Sequence, residues 1–205
     1  MNLQGTKNII FDLGGVLLNI DYHKTIDAFV DLGISKEALE YSQKEQTKIF
    51  DELETGKMNP EDFRDALRPL SYLGLSNDEI DTAWNAMLLD MPKERIDLLK
   101  SLKGKYNLYL LSNTNLIHYN AYSKNLIAEH GFESLESLFE KSYFSHEIGQ
   151  RKPHEETFNW VCNDAGINAS ETLFIDDSEQ HIEGAKKIGL RTHWLKEGSI
   201  LDLGL

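Results

Sequence analysis

The sequence has one cysteine, Cys162, in 205 residues, so no disulfide can close within the chain. It has no excess of positive charge. Against 34 Asp and Glu stand 21 Lys and Arg, a formal net charge of −13. So acidic a chain is a poor match for nucleic acid or an anionic membrane, because both attract basic surfaces. Long apolar runs are missing too. The first, Ile9 to Leu18, is interrupted by Asp12, is too short to span a bilayer and lacks a signal-peptide cleavage pattern. A cytoplasmic location is the resulting expectation. There are no internal repeats, low-complexity tracts or long linkers. What remains is a globular composition, 40% hydrophobic and 10% aromatic, which supports a packed core. The length suits one domain plus a small insertion. Cys162 lies in an amphipathic helical stretch, Phe158–Cys162, with no obvious histidine partner, and reads as a small core residue.

Four segments carry chemistry. Asn8-Ile9-Ile10-Phe11 reads as a buried strand that ends at Asp12 and a glycine turn, Leu13-Gly14-Gly15. A carboxylate there is costly to desolvate unless something pairs with it. Tyr106 to Leu111 is a second strand run, ending at Ser112-Asn113-Thr114. Gly149-Gln150-Arg151-Lys152-Pro153 is a basic loop before a helical pattern. Thr172 to Ile175 is another strand run, ending at Asp176-Asp177-Ser178. In open α/β sheets ligands bind at the carboxyl ends of strands, where this hydroxyl and these carboxylates fall.

From Tyr22 to about Met91 the apolar spacing is helical, with Asn59-Pro60 and a Ser76–Glu79 capping box as helix starts. Beyond Pro92 strands and helices alternate, with further strand runs at Ser142–Phe144 and Thr192–Leu195, which implies a parallel sheet with crossover helices. The expected fold is α/β: a Rossmann-like parallel core over residues 1–18 and 92–205, and a small α-helical domain over residues 19–91.

In order and spacing, the four segments resemble the haloacid dehalogenase superfamily, mostly phosphatases, over Ile9 to about Leu195. The resemblance implies that Asp12 is a nucleophile forming a covalent phosphoenzyme, with Ser112 and Lys152 donating to the phosphoryl group. Backbone N–H groups of Leu13 and Asn113 are expected as further donors. It implies Mg²⁺, held by Asp12, the Gly14 carbonyl and Asp177, with Asp176 a ligand directly or through water. The helical insertion would be a cap, and its turn Glu54-Thr55-Gly56-Lys57-Met58-Asn59, with Gly56, Lys57 and Met58 as the binding residues, would read the substrate, a small phosphate ester such as a sugar phosphate. The chain is expected to be a monomer or weak homodimer.

One position departs from the superfamily pattern. A second aspartate usually follows the nucleophile by two residues as general acid and base; here Gly14 stands there. Asp21 and His23 are the nearest titratable alternatives. Two other readings stay open: a metal-independent 2-haloacid dehalogenase, and a phospho-ligand-binding protein without catalysis.

Overall fold

The computed structural model describes residues 3–39, 48–131 and 133–205. After β1 (Asn8–Phe11) come α1 (Tyr22–Asp31), α2 (Lys36–Leu39), α3 (Lys48–Glu54), α4 (Pro60–Leu67), α5 (Asn77–Asn85) and α6 (Lys93–Leu102). The chain continues through β2 (Asn107–Ser112), α7 (Leu116–His130), β3 (Lys141–Phe144), α8 (Ser145–Ile148) and α9 (Glu155–Ala165). It closes with β4 (Thr172–Asp176), α10 (Glu179–Lys187) and β5 (Arg191–Trp194). The strands form one parallel sheet in the order β3-β2-β1-β4-β5. The part of the expected helical stretch at residues 40–47 lies outside the described residues.

The apolar runs are continuous because the central strands are covered on both faces. Alternate side chains then enter different cores. Ile9, Phe11, Leu110 and Ile175 pack with Ile96 and Leu99 of α6 and Tyr122 and Leu126 of α7. Ile10, Leu111 and Phe174 pack with Phe158 and Val161 of α9 and Ile182 of α10. Cys162 belongs to the second of these cores, and burial pushes its thiol up to about 11. The polar start of β1 is satisfied sideways: Asn8 donates to Thr172 and accepts from the Asn107 side chain.

Helices α1, α3, α4 and α5 share a further core around Phe29, Phe50, Phe63 and Trp84. Their starts follow local chemistry. The Asn59 carboxamide oxygen accepts from the Glu61 and Asp62 amides, with Pro60 in the first turn, and Ser76 and Glu79 form a capping box. Trp84 stacks on Phe50, with ring centroids 5.0 Å apart, and on His118 of α7 at 4.6 Å. Ile117 of α7 joins the same core, so the helical insertion rests on the α/β unit through α7. The two connecting segments pair with each other: the Asn19 amide donates to the Asp90 carbonyl, Leu89 to Asn19 and Asp21 to Met87. No helix among the described residues is long and apolar enough to cross a membrane.

Candidate active site

Because the strands are parallel, their carboxyl ends meet on one edge. Asp12 follows β1, Ser112 ends β2 and Asp176 ends β4, and all three side chains are buried. Lys152 reaches this edge from the loop between α8 and α9. It is 0% exposed, and its ammonium donates to Asp12 Oδ1 at 2.6 Å and to Asp176 Oδ2 at 2.7 Å. Burying an ammonium costs several kcal/mol, which only close ion pairing offsets. Lys152 has two such pairs.

The loop that delivers Lys152 is held by contacts from three elements. Asn113 braces it with two hydrogen bonds, donating to the Lys152 carbonyl and accepting from the Lys152 amide, each 3.0 Å. Thr157 of α9 donates to the Arg151 carbonyl at 2.8 Å. Gly184 of α10 packs so closely that a Cβ there would overlap the Pro153 carbonyl oxygen. Asp176 is fixed in turn by the Ser178 amide at 2.8 Å and by His181 Nδ1 at 3.0 Å.

The electrostatics set the two aspartates apart. Burial, reinforced by the charges of Asp176 and Asp177 and opposed by Lys152, pushes Asp12 up to about 8. Asp176 is as buried, yet Lys152 and His181 together hold it below the usual carboxylate range. Burial works against the Lys152 ammonium, but Asp12 and Asp176 outweigh it and keep it raised. Burial lowers His181, helped by the Lys152 charge.

Asp12, Asp176 and Asp177 each present a carboxylate oxygen, and these oxygens lie within 4.8 Å of one another. A Cβ on Gly15, whose φ is +74°, would overlap Asp177 Oδ2, so glycine makes room for that carboxylate. An all-oxygen set of acidic ligands on a turn suits a hard divalent cation such as Mg²⁺. It also offers relief for Asp12, since a cation would offset the repulsion that raises it.

Above this edge lies a cleft. Its floor includes Asp12, Leu13, Gly14, Ser112 and Asn113; Tyr22, Glu54, Met87 and Leu88 line it from the helical insertion and its connection. Asp12, Ser112, Lys152, Asp176 and Asp177 thus gather at one strand edge, as do Leu13, Gly14 and Asn113. Gly14 is outside the left-handed region, and a Cβ there would meet only the flexible Ile20 side chain at 3.0 Å.

Other expectations are not met in place. Gly56, Lys57 and Met58 do not line the cleft. Gly56 packs against the His146 carbonyl, where a Cβ would overlap it. Lys57 borders a separate hollow with Asp51 and His154, and Met58 packs on the core of the insertion. Glu54, at the end of α3, is the residue of this turn that faces the cleft. Asp21 caps α1 by accepting from the His23 amide, and His23 is exposed; neither lines the cleft.

Sequence reasoning missed Arg151 and His118, and it named Glu54 only as the first residue of the turn expected to read the substrate. Arg151, beside Lys152, reaches Asp51 of α3 at 2.6 Å and Glu54 at 3.4 Å, tying the site loop to the insertion. The basic loop was visible in sequence, but its acidic partners lie about a hundred residues away.

The description "haloacid dehalogenase-like hydrolase" matches residues 6–189. A D-ribitol-5-phosphate phosphatase of Bacteroides thetaiotaomicron is 34% identical over 193 residues, covering 94% of this chain and 93% of that protein. A sesquiterpene phosphatase of Aspergillus oryzae is 28% identical, covering 90% of this chain and 87% of the relative. Among solved structures, a HAD family enzyme of Bacteroides thetaiotaomicron, in complex with magnesium and inorganic phosphate, is 41% identical with a TM-score of 0.85. The match covers 95% of this chain and 96% of that one.

Proposed function

The chain belongs to the haloacid dehalogenase-like hydrolases and is a phosphoric monoester hydrolase, and from that premise we propose that it is a Mg²⁺-dependent phosphatase of small sugar or alditol phosphates, working through Asp12. The observation that carries the reading is the buried Lys152 between Asp12 and Asp176, with Asp177 alongside.

In this reading Asp12 attacks phosphorus. A bond forms between its carboxylate oxygen and phosphorus as the ester P–O bond breaks and the alcohol leaves. Water then attacks phosphorus, releasing inorganic phosphate and restoring Asp12. Lys152 balances the negative charge of the phosphoryl group and of Asp12. The Ser112 hydroxyl and the Leu13 and Asn113 amides donate to the phosphoryl oxygens. Gly14 provides no acid, so the leaving oxygen takes its proton from water or from the substrate's own hydroxyls. Asp12, Asp177 and the Gly14 carbonyl would hold Mg²⁺, with Asp176 beside them; when bound, the ion neutralises charge on the phosphoryl oxygens. Residues 19–91 act as a cap that shields the cleft from water, pivoting on the paired segments at Asn19 and Asp90. Glu54, the first residue of the turn expected to read the substrate, takes that role in place of Gly56, Lys57 and Met58.

Support for the substrate class comes from the relative acting on D-ribitol-5-phosphate and from the polar groups Tyr22, Glu54 and Arg151 around the cleft. A panel of phosphate esters, run with Mg²⁺ and with EDTA beside chloride release from chloroacetate, tests the proposal. Mg²⁺-dependent phosphate release, fastest on sugar or alditol phosphates, is the expected result. Chloride release, or phosphate release indifferent to EDTA, would refute it.

A further inference from the structure

One polar group in the cleft has no part in the chemistry above. His118 sits in the first turn of α7, buried, with its ring stacked on Trp84. Its Nε2 lies 3.1 Å from the Trp84 carbonyl oxygen. A carbonyl can only accept, so Nε2 carries the hydrogen and Nδ1 carries a lone pair. The Trp84 carbonyl is itself held by the Thr25 hydroxyl at 2.9 Å, which pins this arrangement. Nδ1 has no hydrogen-bond partner among the described residues. Burial keeps the ring neutral, lowering it to about 4 against the pull of the Trp84 carbonyl and Asp81.

His118 lines the same cleft as Asp12 and Ser112, whose neighbouring walls include Leu18, Ile20 and Met87. An oriented acceptor in a cleft is costly to leave unmatched once a ligand displaces water from it. We propose that His118 is a specificity-determining residue whose Nδ1 accepts a hydroxyl hydrogen from the carbon chain of the substrate, so that the cleft selects polyhydroxylated phosphate esters over apolar ones. The inference rests on the reading that the phosphoryl group sits at Asp12. An apolar chain would leave Nδ1 unpaired.

Two substitutions separate recognition from support. His118→Gln keeps an N–H in the Nε2 position for the Trp84 carbonyl but lacks the acceptor at Nδ1. His118→Asn can place its amide oxygen near the Nδ1 position. Each is compared with the wild type by kcat/KM on ribitol 5-phosphate and related alditol phosphates, relative to phenyl phosphate, which has no hydroxyl. His118→Gln should lower the alditol-to-phenyl ratio about tenfold, the worth of one ordinary hydrogen bond, mainly through KM. His118→Asn should retain more of the ratio. An equal fall on both substrates, an unchanged ratio, or Asn losing as much as Gln would overturn the inference. A wild type that cleaves phenyl phosphate but no alditol phosphate would overturn it too and leave the phosphatase reading standing. A wild type inert toward both would overturn the phosphatase reading, and this inference with it.

Discussion

Replacing Asp12 by asparagine should stabilise the metal-free protein while abolishing its activity. The reason is the cost of holding this carboxylate where it is. In the folded chain Asp12 titrates at about 8, against 3.8 unperturbed, chiefly because it is buried and secondarily because Asp176 and Asp177 crowd it. Below 3.8 both folded and unfolded chains carry the proton, and the site costs nothing. As pH rises toward 8 the unfolded chain releases the proton and the folded one retains it, so stability is lost across that window. At pH 7 the penalty is ~4 kcal/mol at most, taking ~1.4 kcal/mol per pH unit. Asparagine mimics the protonated form and still accepts from Lys152. The asparagine amide carries two N–H hydrogens where the protonated carboxyl carries one O–H, a poorer neighbour for the Lys152 ammonium, so about half of that figure, ~2 kcal/mol, is the expected gain. For a chain of this size that raises Tm by ~4–8 °C. Thermal denaturation followed by circular dichroism in EDTA measures it. The gain should shrink by more than half between pH 7 and about pH 5, and Mg²⁺ should narrow or reverse the gap by stabilising the wild type more than the variant. A variant melting at or below the wild type at pH 7 in EDTA, or a gap widening toward acid, would refute the reasoning.

Three further substitutions test neighbouring parts of the site. Asp177→Ala should lose more than ~10²-fold in kcat/KM and recover only partly at high Mg²⁺; a normal Mg²⁺ titration would remove Asp177 from the metal site. Gly184→Ala should cost ~1–3 kcal/mol and lower Tm, because its methyl overlaps the Pro153 carbonyl and must push α10 off the Lys152 loop; an unchanged melt and kcat would show the loop is not held there. Gly14→Asp should fold, since φ is not left-handed and Ile20 can turn away, and should raise the rate on alkyl phosphates more than on aryl ones. A folded variant with no such preference would mean that a proton donor is already in place.

The parts of the fold legible in the sequence were those written in local pattern. Apolar runs marked β1, β2 and β4, and the capping signals at Asn59 and Ser76 marked helix starts that the structure shows with their hydrogen bonds. The strand-end residues Asp12, Ser112 and Asp176 converge because parallel strands bring their carboxyl ends together, a consequence of topology that alternation already implied. What stayed hidden depends on contacts between distant segments. The resemblance placed Lys152 at the site, but not its full burial between two carboxylate partners 140 and 24 residues away. The Asn113 brace, the Arg151 pairs with α3 and the His118–Trp84 stack are of the same kind. The turn from Glu54 to Asn59 was legible as a loop beside the site, but not which of its residues faces the cleft: Glu54 lines it, while Gly56, with a φ of +66°, makes a close approach to the His146 carbonyl.

The central claim is that Asp12 carries the phosphoryl group during turnover, and trapping that state tests it most directly. Enzyme mixed with Mg²⁺ and an alditol phosphate would be quenched in acid within a turnover, reduced with borohydride and mapped by peptide mass spectrometry. A phosphorylated aspartate, reduced to homoserine, is expected at position 12 and nowhere else, and none in Asp12→Asn. An unmodified Asp12 under conditions of steady phosphate release, or phosphoryl transfer to another side chain, would contradict it.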